Sequence, residues 1–314
     1  MKKNYVKWAR KVRNRLRGAR RAVRGAFLPL KHDTEPLFIC GAMGSGTTLI
    51  TRLIDQHFHV NGVANETALQ IPRRSPLSIR GSHNYRSLEQ MSRALFVRGD
   101  VDPITIRVDL LDYYRRIQRR SGEDAKEVVV VDKAPNAHLV RTPALRAAFP
   151  RCKFVFIYRD PVSAVEGLRR KWTVCAQAPF EHVARFWVLL HETFERDTAF
   201  FRDDVIPVPY EVLTEDPHSV LAALEAAVPL RRREALRTMG NKANREGFGL
   251  RNVSGGKIEV VKGVSRSARD RLEPRSLELV EEIAVPVFER LSRNFQLPGV
   301  SDPPPVSRPG GGRR

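Results

Sequence analysis

The stretch CGAMGSGTT, Cys40 to Thr48, follows the short apolar run Pro36-Leu37-Phe38-Ile39 and spaces Gly41 and Gly46 as G-x-x-x-x-G. Backbone N–H groups in such a turn, and at the start of a helix beginning near Thr47, make a ready anion site. In a nucleotide triphosphatase the next two residues are a lysine that reaches the terminal phosphates and a Ser or Thr that holds Mg²⁺. Here Thr47 and Thr48 stand in those places. The loop therefore favours a phosphate-bearing ligand and weakens a Mg²⁺–triphosphate reading. Residues 128–132 have only the outline of the acidic strand that such a site also uses. A glycine-rich turn with no ligand is the plain alternative.

Two further segments carry charge to the end of an apolar run. In VVVVDKAPNAHLV, Val128 to Val140, the valines deliver Asp132 and Lys133, and Pro135 stops the strand. A lysine placed there and partly shielded from water pulls harder on an anion than one in bulk solvent. In KFVFIYRDPVSAVEGLRRKW, Lys153 to Trp172, Arg159 arrives in the same way and Asp160-Pro161 opens a helix. Arginine suits two-pronged phosphate binding. The alternatives are a surface lysine at a strand end and an arginine paired with Asp160. One anion loop and two cations at three strand ends imply a ligand with phosphate groups at two ends.

These residues meet only if a sheet brings the strand ends together. The apolar runs at 37–40, 128–131, 154–158 and 205–209 read as buried parallel strands. Helical patterns alternate with them at 47–56, 139–149, 161–172, 180–201, 217–226 and 275–291. This alternation predicts an α/β fold of three layers, α/β/α, with a parallel central sheet and a P-loop-like first turn. Ligands of such sheets bind at the carboxyl ends of the strands. Residues 72–122 are polar, basic and helical in pattern without a strand, and read as a lid or substrate-contacting insertion.

The chain has 314 residues and a formal charge of +20, and twelve of its 55 Lys and Arg fall in residues 1–31, before the first acid, Asp33. Within that arm Tyr5, Trp8, Val12, Leu16, Ala19, Val23 and Phe27 recur at steps of three and four. The pattern predicts a basic amphipathic N-terminal helix suited to an anionic membrane surface. A disordered arm, a helix docked on the body and a nucleic-acid contact stay as alternatives, the last without an accompanying motif. The last residues, SDPPPVSRPGGGRR, are too rich in Pro and Gly to pack. The expected organisation is an arm over 1–31, one domain over 36–298 and a disordered tail over 299–314. No run approaches the roughly 20 apolar residues that cross a bilayer, and nothing resembles a cleavable signal peptide. Cys40, Cys152 and Cys175 fit neither a metal pattern nor a disulfide framework, and read as reduced, buried thiols of a cytoplasmic protein.

Taken in order, these segments resemble the PAPS-dependent sulfotransferases of cytosolic and Golgi type, bacterial members especially. The family's first loop reads like P-R-S-G-T-T-L. A K-x-P motif follows, as in Lys133-Ala134-Pro135, and then a strand ending in R-D-P, as in Arg159-Asp160-Pro161. A later YE-x-L element matches Tyr210-Glu211-Val212-Leu213, with Glu215-Asp216-Pro217 beyond it. The likeness covers residues 38–230, with a helical end to about Leu297. It implies transfer of a sulfuryl group from PAPS to a hydroxyl of a glycan, lipid or small metabolite, leaving 3′,5′-ADP and using no metal. A donor without a γ-phosphate accounts for the missing lysine.

The resemblance also implies roles. Gly44, Ser45, Gly46, Thr47 and Thr48 would hold the 5′-phosphosulfate. Arg159 would take the 3′-phosphate, with Ser163 and Tyr210 in the same donor site, and Lys133 would stabilise charge on the bridging oxygen of the departing nucleotide. Asn65-Glu66-Thr67 resembles the G-E-E-T stretch of tyrosylprotein sulfotransferases, which makes Glu66 the base for the acceptor hydroxyl. His57 and His59 are rival bases. Two positions depart from the family pattern: Gly44 stands where Arg or Lys is usual, and Gly167 stands where Ser is usual. Ser163, one helical turn earlier on the same face, is the substitute for the second. Lys257 and Lys262, in SGGKIEVVKG, are candidates for late contacts to the 3′-phosphate, with no placement assigned. A P-loop kinase or triphosphatase and a non-catalytic membrane-associated homologue are the competing functions.

Overall fold

The computed structural model describes residues 34–71, 85–96, 102–121, 129–236, 250–253, 257–260 and 266–299. The basic arm, the tail beyond Gly299 and Lys262 lie outside the described residues. The strands in chain order are β1 (Glu35–Cys40), β2 (Phe58–His59), β3 (Val63–Asn65), β4 (Val129–Lys133), β5 (Lys153–Tyr158), β6 (Val205–Pro209), β7 (Arg231–Arg232), β8 (Leu250–Val253) and β9 (Lys257–Val260). The first seven helices are α1 (Thr47–His57), α2 (Thr67–Gln70), α3 (Leu88–Phe96), α4 (Pro103–Ser121), α5 (Thr142–Ala148), α6 (Pro161–Lys171) and α7 (Thr173–Ala176). They are followed by α8 (Phe180–Asp197), α9 (Tyr210–Glu215), α10 (Pro217–Ala227), α11 (Arg266–Arg269) and α12 (Pro274–Asn294).

Five strands form one parallel sheet in the order β3-β4-β1-β5-β6, with β1 in the middle. Side chains of β1 and β5 alternate between two cores: Leu37, Ile39, Val155 and Ile157 on one face, and Phe38, Cys40, Phe154, Phe156 and Tyr158 on the other. Helices α1 and α10 cover the first face with Leu49, Ile50, Leu53, Val220 and Leu221. Helices α4, α6, α8 and α12 cover the second with Tyr114, Leu168, Trp187 and Phe288. A sheet covered on both faces requires apolar residues at successive positions, and these strands therefore read as unbroken runs in the sequence. On the second face Phe156 stacks on Phe194 at 4.1 Å and meets Phe295 edge-on at 5.1 Å. All three cysteines are buried and unpaired.

The expected elements are present, with changed bounds. Strand β4 runs to Lys133 rather than stopping at Val131. Helix α5 starts at Thr142, three residues after Leu139, because the chain first turns through Asn136 at φ 60. Helix α8 ends at Asp197 instead of Phe201, where Thr198 folds its hydroxyl back onto the Phe194 carbonyl at 2.7 Å. Not anticipated were the short strands β2, β3 and β7, the short helices α2, α7, α9 and α11, and the antiparallel pair β8–β9. In the insertion the described residues form α3 and α4, both helical as expected.

One buried group of the second face sets an acid limit on the fold. His191 lies in α8 with its ring 3.9 Å from that of Trp187 and its Nδ1 2.7 Å from the Trp187 carbonyl, to which it donates. Burial pushes it down to about 4 from an ordinary 6.5. The unfolded chain therefore binds this proton first. The stability contributed by neutral His191 is fully present above pH 6.5 and is lost as pH falls through 4, at about 1.4 kcal/mol per pH unit between. Asp132 and His138 titrate in the same window, so the difference between two proteins isolates His191. Urea unfolding at about pH 7.5 and about pH 5 should show a shallower acid loss for His191→Phe than for wild type. Equal slopes would show that His191 is not the titrating group.

Candidate active site

Each strand of the sheet hands a residue to its carboxyl edge. The turn at residues 41–46 follows β1, Glu66 follows β3, Lys133 ends β4, Arg159 follows β5 and Tyr210 follows β6. The register keeps these ends level, since Ile39 and Asn65 both pair with Lys133 and Cys40 pairs with Phe156.

In the turn, Gly44 and Gly46 have φ of 84° and 102°, a region that glycine enters without cost. Gly46 has a second reason to be glycine, because a Cβ there would lie 2.5 Å from the Tyr210 ring. Ser45 is fully buried and its hydroxyl donates to the Ala42 carbonyl at 2.7 Å. Thr47 opens α1 and is buried, and Thr48 accepts a hydrogen bond from Lys133 Nζ at 3.2 Å. Asn136 braces the turn from the β4 side: its N–H donates to the Gly41 carbonyl at 3.0 Å, and its Oδ1 accepts from Met43 N–H at 2.9 Å. Asn136 was not picked out from the sequence. The Pro-Asn pair was the available signal, since Asn tolerates positive φ in turns.

Lys133 is 5% exposed, and its Nζ lies 2.6 Å from Glu66 Oε1. The Glu66 side chain is 42% exposed. A carboxylate open to solvent and a cation seated on the start of α1 thus meet at one point. Behind them Asp132 is wholly buried and accepts from the Tyr114 hydroxyl at 2.5 Å and from the Thr67 hydroxyl, with His138 Nε2 at 3.7 Å. Burial pushes the Asp132 carboxyl up to about 7 against the two hydroxyl bonds, which pull the other way. Burial also pushes His138 down to about 4, and its Nδ1 accepts from Ala134 N–H at 3.3 Å.

On the other side of β1, the Arg159 guanidinium lies 4.2 Å over the Tyr210 ring, and Nη1 donates to the Gly44 carbonyl at 3.1 Å. Asp160 caps α6, its Oδ2 accepting from Ser163 N–H at 3.0 Å and from Ser163 Oγ at 2.6 Å. Arg269 reaches Asp160 Oδ1 at 3.3 Å, and the Glu211 carboxyl, raised chiefly by burial, accepts from Asp160 N–H at 3.3 Å. At Gly167, in α6, an added Cβ would meet nothing within 4 Å.

The sheet thus gathers Gly44, Ser45, Gly46, Thr47, Thr48, Glu66, Lys133, Arg159 and Tyr210 along one edge, with Ser163 serving the cap beside Arg159. The rival bases are elsewhere. His57 ends the 11-residue α1, about 15 Å along the helix from Thr47. His59 lies 3.3 Å from Arg233, and nearby Asn61 bonds Val129 at the opposite edge of the sheet. Lys257 falls in β9, with its side chain outside the described residues. Among the described residues no group of three or more His, Cys, Asp or Glu is placed to hold a metal ion, and no helix is long and apolar enough to cross a membrane.

Comparison with known proteins bears on this edge. A family model described as the sulfotransferase family matches residues 36–233, a span that includes every residue gathered above. The sulfotransferase domain from the Synechococcus PCC 7002 olefin synthase is similar in structure, with a TM-score of 0.50 and 19% identity over 81% of this chain and 96% of that one. The sulfotransferase domain from the curacin biosynthetic pathway gives a TM-score of 0.44 and 12% identity over 85% of this chain and 100% of that one. A sulfotransferase from Alicyclobacillus acidocaldarius gives 0.43 and 16% over 86% and 97%. No curated protein matches the chain. At 19% identity the first of these structures supports the fold, and the family match supplies the assignment. The chain belongs to the sulfotransferase family.

Proposed function

We propose that this protein moves a sulfuryl group from PAPS to a hydroxyl of a glycan, lipid or small metabolite, leaving 3′,5′-ADP. The observation that carries the reading is Lys133 Nζ, held 2.6 Å from Glu66 Oε1 and 3.2 Å from Thr48 Oγ1. It joins an anion loop to a solvent-open carboxylate. The residues present fit the donor: the Gly46 cradle admits no side chain, hydroxyls stand where a triphosphatase carries its lysine, and a second cation, Arg159, lies across β1. Bound there, PAPS supplies an electrophilic sulfur and a phosphate leaving group.

The chain's own residues then divide the work. Backbone N–H groups of residues 44–48 and the hydroxyls of Thr47 and Thr48 would hold the phosphosulfate end at the start of α1. Arg159, over the Tyr210 ring, would hold the 3′-phosphate, with Ser163 acting through the Asp160 cap. Glu66 accepts the proton of the acceptor hydroxyl, and Lys133 stabilises negative charge on the leaving oxygen. An anion in the loop would compete with Glu66 for the Lys133 ammonium, which links filling of the loop to release of the carboxylate in this reading. The likeness to tyrosylprotein sulfotransferases rests on Asn65-Glu66-Thr67 alone and supports this role for Glu66.

A non-catalytic homologue is the second reading, favoured by the missing side chains at Gly44 and Gly167. A kinase or triphosphatase is disfavoured by Thr47. In our reading the enzyme is cytoplasmic, and the arm at residues 1–31 rests on the anionic inner face of the membrane.

Calorimetry separates the three functions. We expect 3′,5′-ADP to bind without metal, and Arg159→Ala to weaken it by about 2–4 kcal/mol, as for loss of a buried charge-assisted contact. Preference for ATP with Mg²⁺ would overturn the reading, and no binding of either would favour the non-catalytic homologue. Glu66→Gln should lower sulfate transfer from PAPS by at least about 100-fold on an acceptor found by screening lipid and glycan extracts, with 3′,5′-ADP affinity nearly unchanged. Retained transfer removes Glu66 as the base. Full-length protein should sediment with anionic liposomes and a protein lacking residues 1–31 should not; equal behaviour ends the membrane proposal.

A further inference from the structure

We propose that Asp132 is the positioning residue for Glu66: it grips the hydroxyls of Thr67 and Tyr114 and so fixes the turn that carries the carboxylate against α4. The inference rests on the reading of Glu66 as the base. Glu66 has φ 53 and ψ 44, a left-handed conformation that a residue with a side chain abandons unless its surroundings hold it. The flanking elements are too short to do so alone. Strand β3 has three residues and α2 has four, each below the length at which such an element persists by itself.

Two neighbours on β4 supply the hold. Successive strand side chains point to opposite faces, so Asp132 and Lys133 reach the turn from different sides. Lys133 pairs with Asn65 in the ladder and with the Glu66 carboxylate through its ammonium. Asp132 takes the hydroxyl of Thr67, the residue directly after Glu66, on one oxygen. Its other oxygen takes the Tyr114 hydroxyl, which belongs to the 19-residue α4 of the insertion. Thr67, Tyr114 and Asp132 are all buried, so water does not compete for these bonds. His138 closes the third side, with Nε2 3.7 Å from Asp132 and its other ring nitrogen engaged by Ala134 N–H. The insertion and the base are thereby joined through one carboxylate.

Replacing Asp132 itself risks the fold, so the test removes its partners. Thr67→Val and Tyr114→Phe delete one hydroxyl each and keep the shape, and Thr67→Ser returns the hydroxyl. Hydrogen–deuterium exchange in the full chain is read on the peptide spanning residues 63–71. We expect exchange there to rise about tenfold in Thr67→Val and in Tyr114→Phe and to return to wild-type rates in Thr67→Ser. Affinity for 3′,5′-ADP should stay within about twofold in all three, because the donor loop lies across β4. Unchanged exchange in both hydroxyl deletions overturns the proposal, and so does a rise that Thr67→Ser fails to reverse. If Glu66→Gln keeps transferring sulfate, the base reading falls, while the grip on the turn is still judged by exchange.

Discussion

Parallel strands in level register put their carboxyl ends in a row, and the site depends on β1 lying in the middle of that row. With β4 on one side and β5 on the other, the turn after β1 is flanked by a lysine and an arginine without any long loop having to find it. The helix that begins at Thr47 adds its N-terminal dipole at the same point. The sheet itself is carried by main-chain hydrogen bonds and two apolar cores, and the polar residues at the edge fix only the turns between its elements. A slip of one residue in β4 would move Lys133 to the opposite face and leave the turn with neither its cation nor its Asn136 brace.

Charge at this edge is tolerated because each group is matched. A lysine buried as deeply as Lys133 is costly when unpaired and acceptable when its ammonium has a carboxylate and a hydroxyl within reach. Asp132, one residue earlier, is satisfied by two hydroxyls, and burial still leaves its carboxyl hard to ionise. Two adjacent residues of one strand thus have opposite surroundings: Lys133 meets a solvent-open carboxylate, and Asp132 meets two buried hydroxyls. On the far side Arg159 spends part of its donor capacity on the Gly44 carbonyl, so the arginine shapes the turn as well as facing its contents.

What the sequence made legible were the features written in consecutive residues. Unbroken apolar runs betray strands covered on both faces, so β1, β4, β5 and β6 could be read, as could the turn, Lys133 and Arg159 at their ends. The edge strand β3 escaped because three residues carry no period, and its pairing with β4 is a long-range fact. Asn136 and Tyr114 escaped for the same reason: what matters is the atom each meets, Met43 N–H in one case and the Asp132 carboxylate in the other. The rival histidines were close to Glu66 in sequence, and only the direction of α1 separates them from it. Gly44 is more informative in structure than in sequence. A missing side chain becomes a backbone requirement, since its φ of 84° would strain any arginine placed there.

The order of the strands divides the edge into two halves. The loop, Arg159 and Tyr210 stand on β1, β5 and β6, whereas Glu66 and the insertion stand on or beyond the outer strand β3. Only β4 belongs to both, through the neighbours Asp132 and Lys133. An outer strand has a partner on one side only, so within the sheet a change in β3 reaches β1, β5 and β6 through β4 alone. One short strand, β4, is then the seam between the two halves: whatever one side of the sheet feels of the other passes through two adjacent residues.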